Sequence, residues 1–244
     1  MNIFGLMIDS KWAAKWDVFE RAFFDNGGYV RVVNGLKNTV EIAVIGLFIG
    51  IIIGILIAII RVMPKYKVLP RVLDKICSFY VGIFRGTPMV VQLLIAYYVL
   101  FPLMGIKLAS LTVCIIIFGL NSGAYVSEIM RSGIQSVDKG QLEAGRALGM
   151  SYGMTMIKIV IPQAIKNILP TLGNEFIVLI KETSIVSFVG ALDLYTAFNY
   201  IGSNNYEFMV PYIIMAAIYI VLVFIISTMV KVLERRMRKS DRNS

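Results

Sequence analysis

The chain has 244 residues, 58% hydrophobic and 16% charged, with a mean hydropathy of +0.77 and a net charge of +9. That balance excludes an ordinary soluble domain, in which about a quarter of residues are charged. Histidine is absent, which removes histidine-based triads, proton relays and metal sites.

The predicted class is an all-α integral membrane protein with five transmembrane helices. Residues 1–30 lack a basic start followed by a long apolar core, so a cleaved signal peptide is not expected; they read as an amphipathic interfacial lead-in. The first span covers 42–60, about 19 residues without a charge, enough to cross a hydrocarbon layer of about 30 Å. In it Gly46, Gly50, Gly54 and Ala58 recur every fourth residue, a smooth face for close helix packing. Pro64, Pro70 and Pro88 then predict a cytoplasmic elbow leading into a kinked helix. Further spans are expected at 89–106, 108–127 and 208–230, and an interrupted one at 164–190. The core of the membrane domain is expected at 31–235, with a basic cytoplasmic tail at 236–244. Cys77 and Cys114, alone in apolar surroundings, read as buried, reduced packing residues.

The basic residues sort by side. Arg61, Lys65, Lys67, Arg71, Lys75 and Arg85 follow the first span, Arg131, Lys139, Arg146, Lys158 and Lys166 the third, and Lys231, Arg235, Arg236, Arg238, Lys239 and Arg242 the last. Only Lys11, Lys15, Arg21, Arg31 and Lys107 fall on the opposite side. The positive-inside rule predicts a multi-pass protein of the cell membrane, N-terminus outside and C-terminus cytoplasmic, in contact with lipid and not with nucleic acid.

Between the third and fourth spans lies "RSGIQSVDKGQLEAGRALGMSYGMTMIKIVIPQAIKN", a cytoplasmic segment long for a mere connection. Leu142, Ala144, Ala147 and Leu148 follow helical spacing after Gly140, and Gly149 is a natural stop, so a short surface helix is expected. Its small residues, Ala144 and Gly145, leave room for a groove of another protein to close over it.

The interrupted span holds the costliest residues. In a helical "LGNEFIVLIKETSIVS", Asn174 and Lys181 are seven apart, as are Glu175 and Glu182, with Val178 between the pairs on one face. Charges at membrane depth face protein or water, so these four, with Asn121, Thr183 and Ser184, are candidate substrate-path residues, or else a structural ion-pair network. Thr183 and Ser184 can also satisfy themselves on helix carbonyls.

Glu143, Ala144 and Gly145, Gly149, and the Ile161-Pro162 pair resemble the cytoplasmic signature loop of permease subunits of binding-protein-dependent ABC importers. "FRGTPMVVQLL", "AYVSEIMRSGIQSVDKGQLEAGRALGMS" and "LPTLGNEFIVLIKETSIVS" are similar to the polar amino acid branch, the histidine, glutamine and arginine type. Gly145 stands where that family more often has a second alanine. The resemblance implies a type I importer permease with a cytoplasmic coupling helix, Glu143, Ala144, Gly145, Arg146, Ala147, Leu148 and Gly149 forming the part that docks on the ATPase. It further implies a second permease subunit, copy or paralogue, two cytoplasmic ABC ATPases that hold ATP and Mg, an extracellular solute-binding protein and an amino acid substrate. No G-x-x-x-x-G-K-[ST] occurs, so no nucleotide cofactor is expected in this chain and no catalytic activity of its own. An ATP-independent secondary transporter and a purely structural scaffold are the rival readings. Against the first stand an odd span count and no inverted repeat.

Overall fold

The computed structural model describes the backbone of residues 3–242 and the side chains of 11–237. Among these residues every regular element is helical. In hydrocarbon each backbone group must bond within its own segment, and helices do that.

Helix α1 (Ile3–Glu20) continues through a wide turn, Arg21–Asp25, and reverses at Gly27, whose φ of +69° suits a residue without Cβ. The part of the lead-in whose side chains are described packs on the bundle through Phe19 and Ala22, buried against Val32, Phe198, Ile201 and Val210. Helix α2 (Gly28–Val62) outruns the expected 42–60 span at both ends. A short extended link holding Pro64 leads into α3 (Val68–Gly86), in keeping with the expected elbow before a kinked helix. Helix α4 (Met89–Leu103) leaves it at 105°, and the two together are apolar enough for one broken span. Alone, α4 is about 22 Å long, shorter than the 89–106 span expected and short of a hydrocarbon layer of about 30 Å. Helix α5 (Ser110–Gln135) leads to the surface helix α6 (Lys139–Ala147). Turns Tyr152–Thr155 and Met156–Val160 pass without a break into α7 (Ile161–Glu182). The supposed long cytoplasmic loop is therefore nearly all helix.

Helix α7 does not remain α-helical through 190: it tightens to a 3₁₀ turn, Thr183–Val189, and stops at Gly190, φ +69°. Helix α8 (Leu194–Asn205), which the sequence reading did not anticipate, and α9 (Met209–Arg242) complete the chain. Asp193, fully buried, caps α8 by accepting from the backbone N–H of Tyr195 at 3.1 Å and of Thr196 at 2.8 Å.

By length and apolarity α2, α5 and α9 each suffice to cross a membrane, and the bent α3–α4 pair, counted as one unit, is apolar enough to be a fourth. The fifth member of the bundle is α7, packed against α2, α5 and α9. The most extensive helix pair is α2 with α5, and its closeness comes from the predicted glycine row. A Cβ at Gly50 would lie 2.6 Å from Ser122 Oγ, and one at Gly54 2.5 Å from Val126 Cγ1. Lipid is as apolar as these side chains, so the seam rests on such fit and not on removing surface from water. The main core joins Ile42, Leu93, Phe118, Leu179, Ile180 and Val186, drawn from α2, α4, α5, α7 and its 3₁₀ end.

Candidate coupling helix and intramembrane polar groups

Helix α6 is defined at both ends. Asp138 precedes it and accepts from the Gly140 N–H at 2.6 Å. The sequence reading put Gly140 before the helix, but the helix starts at Lys139, and the aspartate was the available signal. At the other end Gly149 has φ +82°, its N–H bonds to Arg146 O at 3.0 Å, and Met150 N–H bonds to Gly145 O at 3.1 Å. This is the glycine-terminated stop the spacing predicted.

The helix has two distinct sides. Glu143, Ala144, Arg146, Ala147, Leu148 and Gly149 are exposed, Leu148 at 83%. Gly145 is buried and turned inward, where an added Cβ would lie 2.5 Å from Thr155 Cγ2 and 3.1 Å from Ile159 Cδ1. The expectation that Gly145 leaves room for another protein is thus corrected: its smallness serves the chain's own packing. Polar ties complete the seat. Gln163 Nε2 donates to Gln141 Oε1 at 3.3 Å, Asn167 Nδ2 to Ser136 Oγ at 2.8 Å, and Tyr152 OH to Val62 O at 3.1 Å. The outward face carries one acid, one base, small residues and one large apolar side chain, a surface suited to docking and without a nucleophile.

The candidate path residues on α7 separate. Asn174, Val178, Lys181 and Glu182 are exposed, whereas Glu175 is buried beside Ser122 of α5. The seven-residue spacing aligned each pair but left about 100° between the pairs, and within the second pair only Glu175 is covered, Glu182 being exposed at the end of the helix. Thr183, buried, donates to Ile180 O at 2.8 Å, and Ser184 to Lys181 O at 3.2 Å. Asn121 is spent elsewhere: its Nδ2 donates to Gln92 Oε1 at 2.9 Å and to Phe84 O at 3.3 Å.

These bonds close the break between α3 and α4. Gln92 Nε2 donates to Phe84 O at 2.9 Å, Thr87 O at 3.0 Å and Thr87 Oγ1 at 2.8 Å, while Thr87 Oγ1 donates to Ile83 O at 2.8 Å. Carbonyls released by the bend are thereby satisfied, so the break is a built feature. About two turns beyond Asn121, Glu128 of α5 pairs with Arg61 of α2 through Oε1 and with Arg131 through Oε2, the latter at 2.7 Å. Arg85 of α3 stands 3.8 Å from the same Oε2. Asp74 of α3 binds Lys65 at 2.6 Å and lies 3.9 Å from Arg61. Sequence reasoning missed this network because its members come from three helices and, in Lys65, from the link between α2 and α3.

A bundle of long apolar helices with a bent pair and a short exposed surface helix defines the class: an all-helical multi-pass membrane protein. Residues 43–239 match the family described as binding-protein-dependent transport system inner membrane component, and the chain belongs to it. It is 43% identical over 166 residues to the arginine transport system permease protein ArtQ of Bacillus subtilis (strain 168), covering 68% of this chain and 76% of that one. To the L-cystine transport system permease protein TcyB of the same organism it is 37% identical over 226 residues, 92% of each. A solved structure, described as the crystal structure of an amino acid ABC transporter with histidines, superposes with a TM-score of 0.79 at 41% identity, over 85% of this chain and 94% of that one. The chain is accordingly a multi-pass permease component of an ABC importer complex with the type I architecture. Membership in this family sets aside the secondary-transporter and scaffold readings.

Proposed function

We propose that the chain is the permease subunit of an ATP-driven amino acid importer, with α6 as its contact to a separate cytoplasmic ATPase. The observation that carries this reading is the two-sided α6: an exposed face holding Glu143, Ala144 and Arg146, locked from behind by Gly145 on Thr155. Likeness to the arginine and cystine permeases and to the histidine-bound transporter supports an amino acid as cargo. The basic clusters after α2, α5 and within the end of α9 support an N-terminus outside and a C-terminus in the cytoplasm.

In this reading a second permease, copy or paralogue, faces the first, two ATPases bind ATP and Mg below, and an extracellular binding protein delivers solute. No cofactor or catalytic step belongs to this chain. The exposed α7 face of Asn174, Lys181 and Glu182 belongs to the route through the membrane, because isolated charges on a bundle helix are tolerated next to water or cargo.

The experiment is ATP hydrolysis by the reconstituted complex with its binding protein, titrated with the standard amino acids. Stimulation by one amino acid or a chemically related group is expected. Stimulation by none, in a complex that hydrolyses ATP, refutes the reading.

A further inference from the structure

Helix α3 has three sides rather than two. At 100° per residue, Cys77, Val81 and Phe84 fall on one side and pack inward. Val68, Val72, Ile76, Phe79 and Ile83 fall on a second, all exposed and apolar, as lipid contact requires. Arg71, Lys75, Gly82 and Arg85 lie on the third, which faces neither the core nor this apolar stripe. On that third side there is room: a Cβ at Gly82 would meet nothing within 4 Å.

Arg85 is the charge that comes with this space, and it sits one residue before the break. The break lies level with the middle of α5, since Asn121, which bonds to Gln92 and Phe84, is near that helix's midpoint. Around Arg85 the charges do not balance. Two acids, Asp74 and Glu128, face Arg61, Lys65, Arg131 and Arg85. Both oxygens of Glu128 already accept from Arg61 and Arg131. Arg85 is left 3.8 Å away, 5.2 Å above the Tyr125 ring, with no hydrogen bond among the described residues. A guanidinium carries five donors in a planar fork matched to a carboxylate, and those of Arg85, whose side chain is 44% exposed, are open to a ligand. Polar groups nearby do not compete for a ligand, because Gln92, Asn121 and Thr87 are committed to the break.

We propose that Arg85, held at the break of the second span by Glu128 and Tyr125, receives the α-carboxylate of the transported amino acid. This rests on the amino acid import reading above and adds the group that would recognise the feature all amino acids share. Side-chain selection is then left to other positions, such as the exposed α7 face. Glu128 is a positioning residue: its pull keeps the guanidinium near the open side without supplying enough acceptors to satisfy it.

The test is equilibrium binding to the complete permease–ATPase complex in nanodiscs, with the solute-binding protein omitted so that its own selectivity does not enter. Among the standard amino acids, the strongest binder is compared with its own carboxamide, which lacks only the carboxylate charge. The unmodified complex is expected to prefer the acid. Arg85→Met is expected to weaken acid binding about 10- to 150-fold, the equivalent of a charge-assisted hydrogen bond, and to change carboxamide binding by less than about threefold. Arg85→Lys, a point charge without the fork, is expected to fall between, and it carries the comparison if the methionine variant does not assemble. Equal losses for acid and carboxamide, or no loss for either, overturn the proposal, because a merely structural arginine does not distinguish the two ligands. If the unmodified complex binds no amino acid, the import reading falls first, and that result is distinct from a failure of the variant comparison.

Discussion

Replacing Gly145 by alanine tests whether α6 is rigidly seated. The new methyl would start 2.5 Å from Thr155 Cγ2, whereas ordinary contact begins near 3.4 Å, so something must yield by roughly 1 Å. Thr155 is fully buried, and its Oγ1 donates to Ser151 O at 3.0 Å, so turning the side chain away exchanges a clash for a lost bond. The helix should therefore lift from its seat, at a cost of about 1 to 3 kcal/mol for overpacking. Hydrogen exchange resolves this locally: amides of residues 139–149 are expected to exchange about 5- to 150-fold faster, while those of α2 and α5 are unchanged. Thr155→Ser deletes the offending methyl and keeps the hydroxyl, so the double variant should recover most of the protection. If Gly145→Ala exchanges like the parent, or if Thr155→Ser gives no relief, the tight seat is wrong. Loss of protection spread evenly over the chain would refute it as well.

Other substitutions probe other parts of the same fold. Ala144→Trp points outward, so it should leave the permease's melting temperature within about 2 °C yet abolish co-purification of the ATPase; retained complex and transport would count against the docking face. Gly50→Ala places a methyl 2.6 Å from Ser122 Oγ in the α2–α5 seam and should cost about 1 to 3 kcal/mol, read as a lower melting temperature, whereas Gly82→Ala meets nothing within 4 Å and should be neutral. Lys15 binds Glu207 at 2.9 Å, and that bond holds the Glu207 carboxyl below its ordinary 4.5. A depressed folded value means that the clamp's contribution is complete above about pH 4.5 and is lost as pH falls through the folded value. The two tryptophans, Trp12 and Trp16, flank Lys15, so their emission should change on strong acidification in the parent and be flat over that range in Lys15→Ala; identical titrations would exclude the clamp.

What the sequence made legible follows from periodicity. Apolar runs marked α2, α5 and α9, and the fourfold glycine spacing marked the α2–α5 seam, because both are one-dimensional signals. Helix α6 was visible through its stop at Gly149. Its orientation was not: whether Ala144 or Gly145 faces inward depends on Thr155 and Ile159, which arrive only after the chain turns back. Glu175 and Glu182 occupy nearly the same side of α7, yet only the first is covered, since α5 passes it and not the helix end. Pro88 announced a kink but not a bend of 105°, which is fixed by Gln92 and Asn121 from outside the turn. Helix α8 had an apolar row in Leu194, Ala197, Phe198 and Ile201, and an aspartate cap, and was overlooked between two spans.

The seat of α6 also bears on how a push from below could reach cargo. Helix α6 rests on Thr155 and Ile159, which belong to the helical lead into α7, and it is further tied by Gln141 to Gln163. Its link back to α5, by contrast, is the short stretch 136–138, with Asn167 reaching across to Ser136. A force on the outward face of α6 is therefore delivered to α7 before it reaches α5. From Ile161 to Lys181 the helix rises about 30 Å, so a single helix runs from the seat of α6 to the exposed polar groups at its far end. Pro170 interrupts that element once, removing a backbone donor midway, and Gly173, whose Cβ would meet Val230 Cγ1 at 2.8 Å, presses the next turn against α9. In the proposed reading α7 is the lever between the two, with Pro170 its soft point and the Gly173–Val230 contact its fulcrum. Stiffening that point, rather than altering any charge, would be the way to separate motion of the docking helix from motion at Lys181.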